Sequence, residues 1–344
     1  MNTIHTIFNE NIIPYTAVGG KERIASTGIS AVILNRPGYV RRAFFSDIEK
    51  IGFDNIISIE SSSPHYDMEE LSGRFPFVRF ILPENEINLG EQINLAASET
   101  ESPLFYVLRS DMKIIAGGTA RRIAERLFIK TREKNAADGE KITGLKRLCT
   151  VPVIMNSNYE IFPSLSAPAT QKKKFQSVLL EPREIPLEVS RIESSLTLYP
   201  FDGIGIYDKQ RFINLGGYDI TIKETHWQLM DFGFRSYLWG EEIALNHHSK
   251  LAYEYEPPVE NNSIDRDFRR FYLKNLAPLF RVNKTGNNYA YLPLYRFFPF
   301  MISSGEDYHC AWKEFREARK WVNNNKYRFR CDAQTIMRKW EDSD

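Results

Sequence analysis

The residues best suited to chemistry stand where apolar runs stop. Asn35-Arg36 follows "ISAVIL" (29–34), and Glu60 with Ser61 to Ser63 follows "NIISI". Glu84-Asn85 follows "FVRFILP", and Arg109-Ser110-Asp111 follows "LFYVL". A lone carboxylate such as Asp111 at the end of a buried run has two readings. One is a solvated turn. The other is an oxygen ligand for a divalent cation at the mouth of a nucleotide site, because Mg²⁺ commonly bridges one or two carboxylates to substrate phosphates. Arg109 suits a phosphate directly, since guanidinium pairs well with its oxygens. Farther on, Asp219, Asp231, Glu241 and Glu242 lie among Trp227, Phe232, Phe234, Tyr237 and Trp239. A carboxylate in such apolar surroundings gains a raised pKa and can act as a general base. Rings beside carboxylates also suit sugars. Asp231 has a second reading as the ion-pair partner of Arg235, one helical turn on. Gly216-Gly217 reads either as a tight turn or as close approach of backbone to a bulky ligand. His247-His248 invites a metal reading, but neighbours on a strand point apart.

The elements that must position these residues alternate. Strands are expected at 29–34, 55–61, 77–83 and 104–110, and helices at 37–52, 67–75 and 88–99. Pro37 suits a first helical position and Gly52 a stop. Asp67 and Asn88 are N-caps, and Glu91 completes a capping box with Asn88. Nearly continuous apolar strands with short connections imply a parallel sheet covered on both faces. The carboxyl ends of such strands share one edge, where ligands bind. The first strand–helix turn lacks G-x-G-x-x-G and G-x-x-x-x-G-K-[ST], so a bound diphosphate needs another device, such as a cation on Asp111. Residues 131–144 read as an exposed loop or frayed helix, and 167–176 as another loop. The run Lys172 to Lys174 is a solvated stretch or an attractant for phosphate or a lipid head group.

The chain has 344 residues, 45 Lys+Arg against 44 Asp+Glu, and a net charge of +1, which gives no reason to expect nucleic acid as a partner. Cys149, Cys310 and Cys331 are odd in number and widely spaced, as expected of reduced thiols in a cytoplasmic protein. "MNTIHTIFNENIIPY" has no signal-peptide pattern. No stretch approaches the roughly 20 apolar residues of a membrane span. "YLPLYRFFPFMI" reads as a packed aromatic segment, with contact at a membrane surface as the alternative.

The order of motifs resembles the GT-A glycosyltransferases, family 2 in particular. "SAVILNRPGYVRRAF" is similar to that family's first strand and turn, and "ISIESSS" to its second strand, whose acidic end contacts the base. "ENEINLGEQINLA" resembles its Asn-x-Gly stretch, "FYVLRSDM" occupies the place of the DxD motif, and "LGGYD" matches its Gly-Gly-[Phe/Tyr]-Asp turn. "WQLMDFGFR" resembles its Glu-Asp-x-Asp-Leu-x-x-Arg helix. The resemblance covers roughly residues 29–111 and 196–253. It implies an α/β fold, a GT-A-like mainly parallel sheet flanked by helices, with an aromatic-rich helical C-terminal extension. The expected division is an N-terminal extension (1–28), a nucleotide-sugar-binding half (29–114), an insertion (115–195), an acceptor-side half (196–255) and the extension (256–344). It implies transfer of a sugar from a nucleotide-diphosphate donor to a hydroxyl of a glycan or glycolipid, with inversion. Donor contacts would be Asn35, Arg36, Glu60, Asn88, Gly90, Asn94, Arg109 and Ser110. Asp111 would hold Mg²⁺ or Mn²⁺. Gly216, Gly217, Tyr218, Asp219 and Trp227 would face the acceptor, with Asp231 as base and Glu224 second. Only the last Asp of the metal motif is kept, Gln228 and Leu229 replace Glu and the usual catalytic Asp, and Tyr253 stands near the family's late metal-binding His. Three other readings stay open: a noncatalytic nucleotide-sugar-binding protein, a nucleotidyltransferase, and a retaining transferase. The expected location is the cytoplasm, with peripheral contact at the inner face of the membrane as an extension of that reading.

Overall fold

The computed structural model describes residues 13–20, 25–35, 42–61, 67–131, 141–145, 147–173, 176–184, 195–282 and 288–341. Arg36, Ser62, Ser63 and Lys174 lie outside the described residues. The first part of the chain runs β1 (Tyr15–Gly19), β2 (Ile29–Leu34), α1 (Arg42–Ile51), β3 (Ile56–Ile59), α2 (Met68–Arg74), β4 (Val78–Pro83), α3 (Leu89–Glu99) and β5 (Leu104–Arg109). Next come β6 (Met112–Ala116), α4 (Ala120–Leu127), β7 (Phe128–Thr131), β8 (Lys141–Leu145), β9 (Cys149–Met155), β10 (Ser166–Lys173) and β11 (Gln176–Glu184). Then follow β12 (Gly205–Asp208), α5 (Lys209–Leu215), α6 (Thr225–Leu238) and β13 (Ile243–Tyr253). The C-terminal part is α7 (Arg266–Phe271), β14 (Leu279–Val282), β15 (Asn288–Tyr291), α8 (Phe297–Ser304), α9 (Tyr308–Asn325) and α10 (Ala333–Glu341).

Nine strands form one mixed sheet in the order β1-β4-β3-β2-β5-β12-β9-β13-β6. Neighbours β4, β3, β2 and β5 are parallel, and β13 is parallel to β9. Strands β1, β12 and β6 are antiparallel to their neighbours. Every residue of β2 is buried, including Ser30, whose hydroxyl donates to Ser102 Oγ at 2.9 Å. Ile29, Ala31 and Ile33 face a core with Phe44, Phe45 and Ile48 of α1 and Leu71 of α2. Val32 and Leu34 face the other core, with Ile93 and Ala96 of α3, Phe232 of α6 and Phe315 of α9. Strand alternation thus builds a sheet with helices on both sides.

Local signals act as expected in the parallel half. Asp67 accepts from the backbone of Glu69 and Glu70. Asn88 and Glu91 form a reciprocal capping box. Gly52, at φ 75°, ends α1. The expected insertion needs correction, because β9 lies inside the main sheet between β12 and β13. Its burial, with Cys149 and Val151 in the core, is what makes it a strand and not a loop. The expected loop at 167–176 is also corrected: β10 and β11 pair as an antiparallel hairpin. Likewise β8 pairs with β7 where a loop or frayed helix was expected. The N-terminal stretch adds β1 as an edge strand against β4. Among the described residues no helix is long and apolar enough to cross a membrane.

Helix α6 is buried over almost its whole length, and Gly233 lets it touch the chain segment before β12. A Cβ at Gly233 would collide with the Leu198 carbonyl oxygen and approach the Tyr199 Cβ to 3.1 Å. Alanine is better than glycine by about 1 kcal/mol in an exposed helix. Here the sign reverses: Gly233→Ala is expected to lower stability by about 1–3 kcal/mol, read from the denaturant midpoint.

Candidate active site

The carboxyl ends of β2, β3 and β5 lie side by side. The Asn35 N–H donates to the Ile59 carbonyl at 3.2 Å, and the Ser110 N–H to the Leu34 carbonyl at 3.2 Å. Asn35 Nδ2 donates to Glu60 Oε1 at 2.6 Å and to Ser58 Oγ at 2.9 Å, while Ser58 Oγ donates to Glu60 Oε1 at 2.6 Å. All three side chains are buried. Ser58 was not anticipated; its signal is period-two spacing from Glu60, which puts both on one face. Asn35 Oδ1 and Ser110 Oγ are buried without a hydrogen-bond partner among the described residues. Glu84 and Asn85, at the end of β4, are exposed, and the Glu84 N–H pairs back to Pro14.

At the end of β5, Arg109 does not reach outward for phosphate. It grips Asp202 with two nitrogens, Nε at 2.8 Å from Oδ2, and the Tyr253 hydroxyl donates to the same Oδ2 at 2.9 Å. Burial works against the Arg109 charge, but Asp202, with Tyr253 and Asp111, outweighs it and raises its pKa. Asp202 sits at φ 52°, a left-handed conformation uncommon for a residue other than glycine. The Asp202 contact was hidden in the sequence because it is 93 residues from Arg109. Asp111 is buried at this edge, and its carbonyl accepts from the Glu254 N–H at 2.9 Å.

Among the described residues no group of three His, Cys, Asp or Glu side chains could hold a metal ion. The late His is replaced by Tyr253, which is committed to Asp202. Among the described residues, then, the protein offers no closed cage of ligands at Asp111. His247 and His248 do not point apart: a register shift in β13 between Asn246 and Lys250 breaks the alternation and brings their rings to 3.8 Å.

The expected donor contacts Asn88, Gly90 and Asn94 need correction. All three face inward and fasten α3 to the second half of the chain. Gln228 accepts from the Gly90 N–H at 2.8 Å and donates to Asn88 Oδ1, Asp219 O and Ile222 O at 3.0, 3.1 and 3.0 Å. Asn94 exchanges two hydrogen bonds with the Tyr218 backbone, each of 2.9 Å. A Cβ at Gly90 would lie 2.6 Å from the Tyr218 Cβ, so close packing explains that glycine.

The expected acceptor-side residues are interior too. Gly216 is the left-handed end of α5 at φ 90°, and Gly217 follows at φ 63°. Arg235 donates to the carbonyls of Leu215 and Gly217, each at 2.8 Å, and fixes that turn. Tyr218 is fully buried and stacks on Phe232 at 4.3 Å. Trp227 is buried and donates to the Ser263 carbonyl at 2.8 Å.

Asp219 and Asp231 share the ammonium of Lys274, at 2.6 and 3.1 Å. Asp231 also accepts from Arg235 at 2.8 Å and Asn275 at 2.8 Å, and it is 0% exposed. Burial alone would raise both carboxyls, but Lys274 overrides it, aided by Arg270 at Asp219 and by Arg235 at Asp231, and lowers both. Asp231 is therefore an enclosed, ion-paired carboxylate and not the base expected from the sequence. Glu224, the second candidate, is half-buried at the N-cap of α6 and accepts from Asn261 at 3.3 Å.

A pair absent from the sequence reading stands in the first turn of α6. His226 Nδ1 lies 2.6 Å from Glu260 Oε2, which also accepts from the Tyr199 hydroxyl at 3.1 Å. His226 is buried, and its Nε2 has no hydrogen-bond partner among the described residues. Tyr199 is three residues before Asp202, so this pair adjoins the Arg109 cluster along the chain.

No protein-family model matches the sequence, and no curated protein matches it either. Solved structures do match. A crystal structure of GalNAc-T7 with UDP, GalNAc and Mn²⁺ superposes with a TM-score of 0.54 at 12% identity, over 90% of this chain and 56% of that one. This chain thus spans a little over half of that protein's length. Staphylococcus aureus TarS 1–349 with UDP-GlcNAc aligns at a TM-score of 0.44 and 9% identity, over 84% of this chain and 71% of that one. The fold is GT-A-like, the fold of nucleotide-sugar-dependent glycosyltransferases.

Replacing Lys274 with Met leaves two carboxylates in one enclosed site. Lys274→Met is expected to lower unfolding free energy near neutral pH by about 3–5 kcal/mol. Both carboxyls are depressed in the fold, so their contribution is present above about pH 5 and is lost as pH falls through the folded pKa values. The stability gap between wild type and variant should accordingly narrow in acid, measured by urea unfolding across pH.

Proposed function

We propose that the chain is a glycosyltransferase that moves a sugar from a nucleotide-diphosphate donor to an acceptor hydroxyl. The observation that carries this reading is the buried Asn35–Ser58–Glu60 cluster at the ends of adjacent parallel strands, beside Ser110 and Asp111 on the next strand. Glu60 accepts from the base or ribose, and Asn35 Oδ1 offers a second acceptor. Ser110 Oγ donates to a phosphate oxygen. Asp111 would hold a divalent cation, which would supply charge neutralisation for the leaving diphosphate. Arg109 acts indirectly, keeping Asp202 and Tyr253 in position.

The family's base positions carry Gln228 and Leu229, and both are buried. We assign the proton acceptor to His226, oriented through Nδ1 by Glu260, with Glu224 as the alternative. Glu260 belongs to the segment between β13 and α7. The acceptor oxygen then bonds to the anomeric carbon, the bond from that carbon to the diphosphate breaks, and the acceptor proton passes to Nε2. A single displacement of this kind inverts the anomeric centre. We assign the reaction to the cytoplasm and the acceptor to a glycan or glycolipid. A nucleotide-sugar-binding protein without turnover is the second reading, supported by Leu229 in place of the acid.

Thermal shift with UDP-, GDP-, CDP- and dTDP-sugars, with and without Mn²⁺, tests donor binding. One donor should raise the midpoint, and Asp111→Asn should remove the metal-dependent part of that shift. His226→Gln should lower kcat by about 10²–10⁴-fold while the donor-induced shift is retained. A loss confined to Glu224→Gln would move the base to that carboxylate. Donor binding without transfer or donor hydrolysis would favour the binding protein.

A further inference from the structure

Helix α9 buries Ala311, Phe315, Ala318 and Val322. On the adjoining face, Arg316, Arg319, Lys320 and Asn323 line a cavity of about 380 Å³ with Tyr291, Leu292 and Pro293. No carboxylate is among these lining residues. None of the three cations forms an ion pair among the described residues; Arg319 Nε donates only to the Leu292 carbonyl, at 3.2 Å. Arg281 lies over the Tyr291 ring at 4.7 Å and adds a fourth positive charge beside the wall. The Tyr291 hydroxyl is buried without a hydrogen-bond partner among the described residues. Unneutralised cations converging on a concave site are the arrangement that a phosphate monoanion or diester would satisfy. Of the nearest acids along the chain, Glu314 pairs with Arg269 at 3.1 Å, and Glu317 lines a separate cavity with Arg266, Arg270 and Lys274.

Along the chain, the wall residue Pro293 leads into a run of exposed apolar side chains. Pro293 is followed by Leu294 and Tyr295, which are 51% and 64% exposed. Helix α8 then presents Phe298 and Ile302 at 63% and 79% exposure, spaced by four residues and so on one face. The opposite side of α8 is packed: Phe297 meets Trp312 at 4.9 Å and Phe315 at 5.4 Å, and Phe300 meets Phe315. The ridge is therefore held on a fixed support. Large apolar side chains facing water beside unpaired cations are the signature of an interfacial helix that attracts anionic lipid.

We propose that this cavity and ridge form one surface that docks on an anionic phospholipid membrane. A lipid phosphate enters the site formed by Arg316, Arg319 and Lys320, while Leu294, Tyr295, Phe298 and Ile302 enter the acyl boundary. This deepens the glycosyltransferase reading, since it would carry the active edge to a lipid-borne acceptor. The docking itself needs no nucleotide, so the two readings fail separately.

The test is co-sedimentation of the full chain, without donor, with vesicles of phosphatidylcholine alone and of phosphatidylcholine mixed with phosphatidylglycerol. Binding to the mixed vesicles only, weakened by salt, is expected. Arg316→Ser with Lys320→Ser should reduce the bound fraction about tenfold or more. Phe298→Ser with Ile302→Ser should do the same. All four side chains are exposed, and unchanged circular dichroism and melting midpoint verify folding. Equal binding to neutral vesicles, or full binding by either double variant, overturns the proposal. So does an Arg316-dependent response to inorganic phosphate without vesicle binding, which would make the cavity a site for a soluble anion. A Phe298-dependent dimer that ignores vesicles would assign the ridge to a second copy and overturn it as well.

Discussion

The ammonium of Lys274 lies between the carboxylates of Asp219 and Asp231, over the face of Trp321 at 4.3 Å. Lys274 is 2% exposed, so its charge and theirs are withdrawn from water together. Such a group is tolerable only when every member is matched, and the loss of one leaves the others uncompensated. Arg235 supplies the second positive charge, and Asn275 fills a further acceptor site on Asp231. Through these contacts the turn after α5, helix α6 and the π-helical turn Tyr272–Leu276 are fixed to one another. Trp321 ties in α9 as well. The C-terminal extension is thus part of the electrostatic closure of the second half of the fold.

That closure explains why so many motif residues lie inside. Gln228 satisfies the Gly90 N–H and reaches Asn88, Asp219 and Ile222. An ionised glutamate at 228 would accept but could not donate to those carbonyls. Leu229 is fully buried, where a catalytic acid would be enclosed without water. At positions 228 and 229 the chain carries groups that serve the interior packing. In the proposed reading, the chemistry falls to the edge where β2, β3 and β5 end and to the imidazole of His226.

The parallel half was legible because its signals are local. A nearly continuous apolar run, an Asn–Glu capping box, or a glycine after a helix act within a few positions. The convergence of Asn35 with Glu60 followed from parallel topology, which puts successive strand ends on one edge. The strand β9 was missed because its neighbours in the sheet, β12 and β13, come some 50 and 90 residues later along the chain, and their burial is what defines it. The Arg109–Asp202 and His226–Glu260 pairs were missed for the same reason: each joins residues with no periodic relation in sequence. Asp231 was misjudged because its apolar neighbours were visible while Lys274, 43 residues on, was not connected to it. The resemblance assigned Asn88, Gly90, Asn94, Tyr218 and Asp219 to ligand contact, whereas they face the interior.

The central claim is that the edge formed by Asn35, Ser58, Glu60, Ser110 and Asp111 receives an activated sugar. A crystal structure of the chain with a nonhydrolysable nucleotide-sugar tests it most directly. The account predicts density for the base beside Glu60 and Asn35, and for the diphosphate beside Ser110 and Asp111. Nucleotide bound on another face of the sheet, with this edge vacant at saturating ligand, would contradict it.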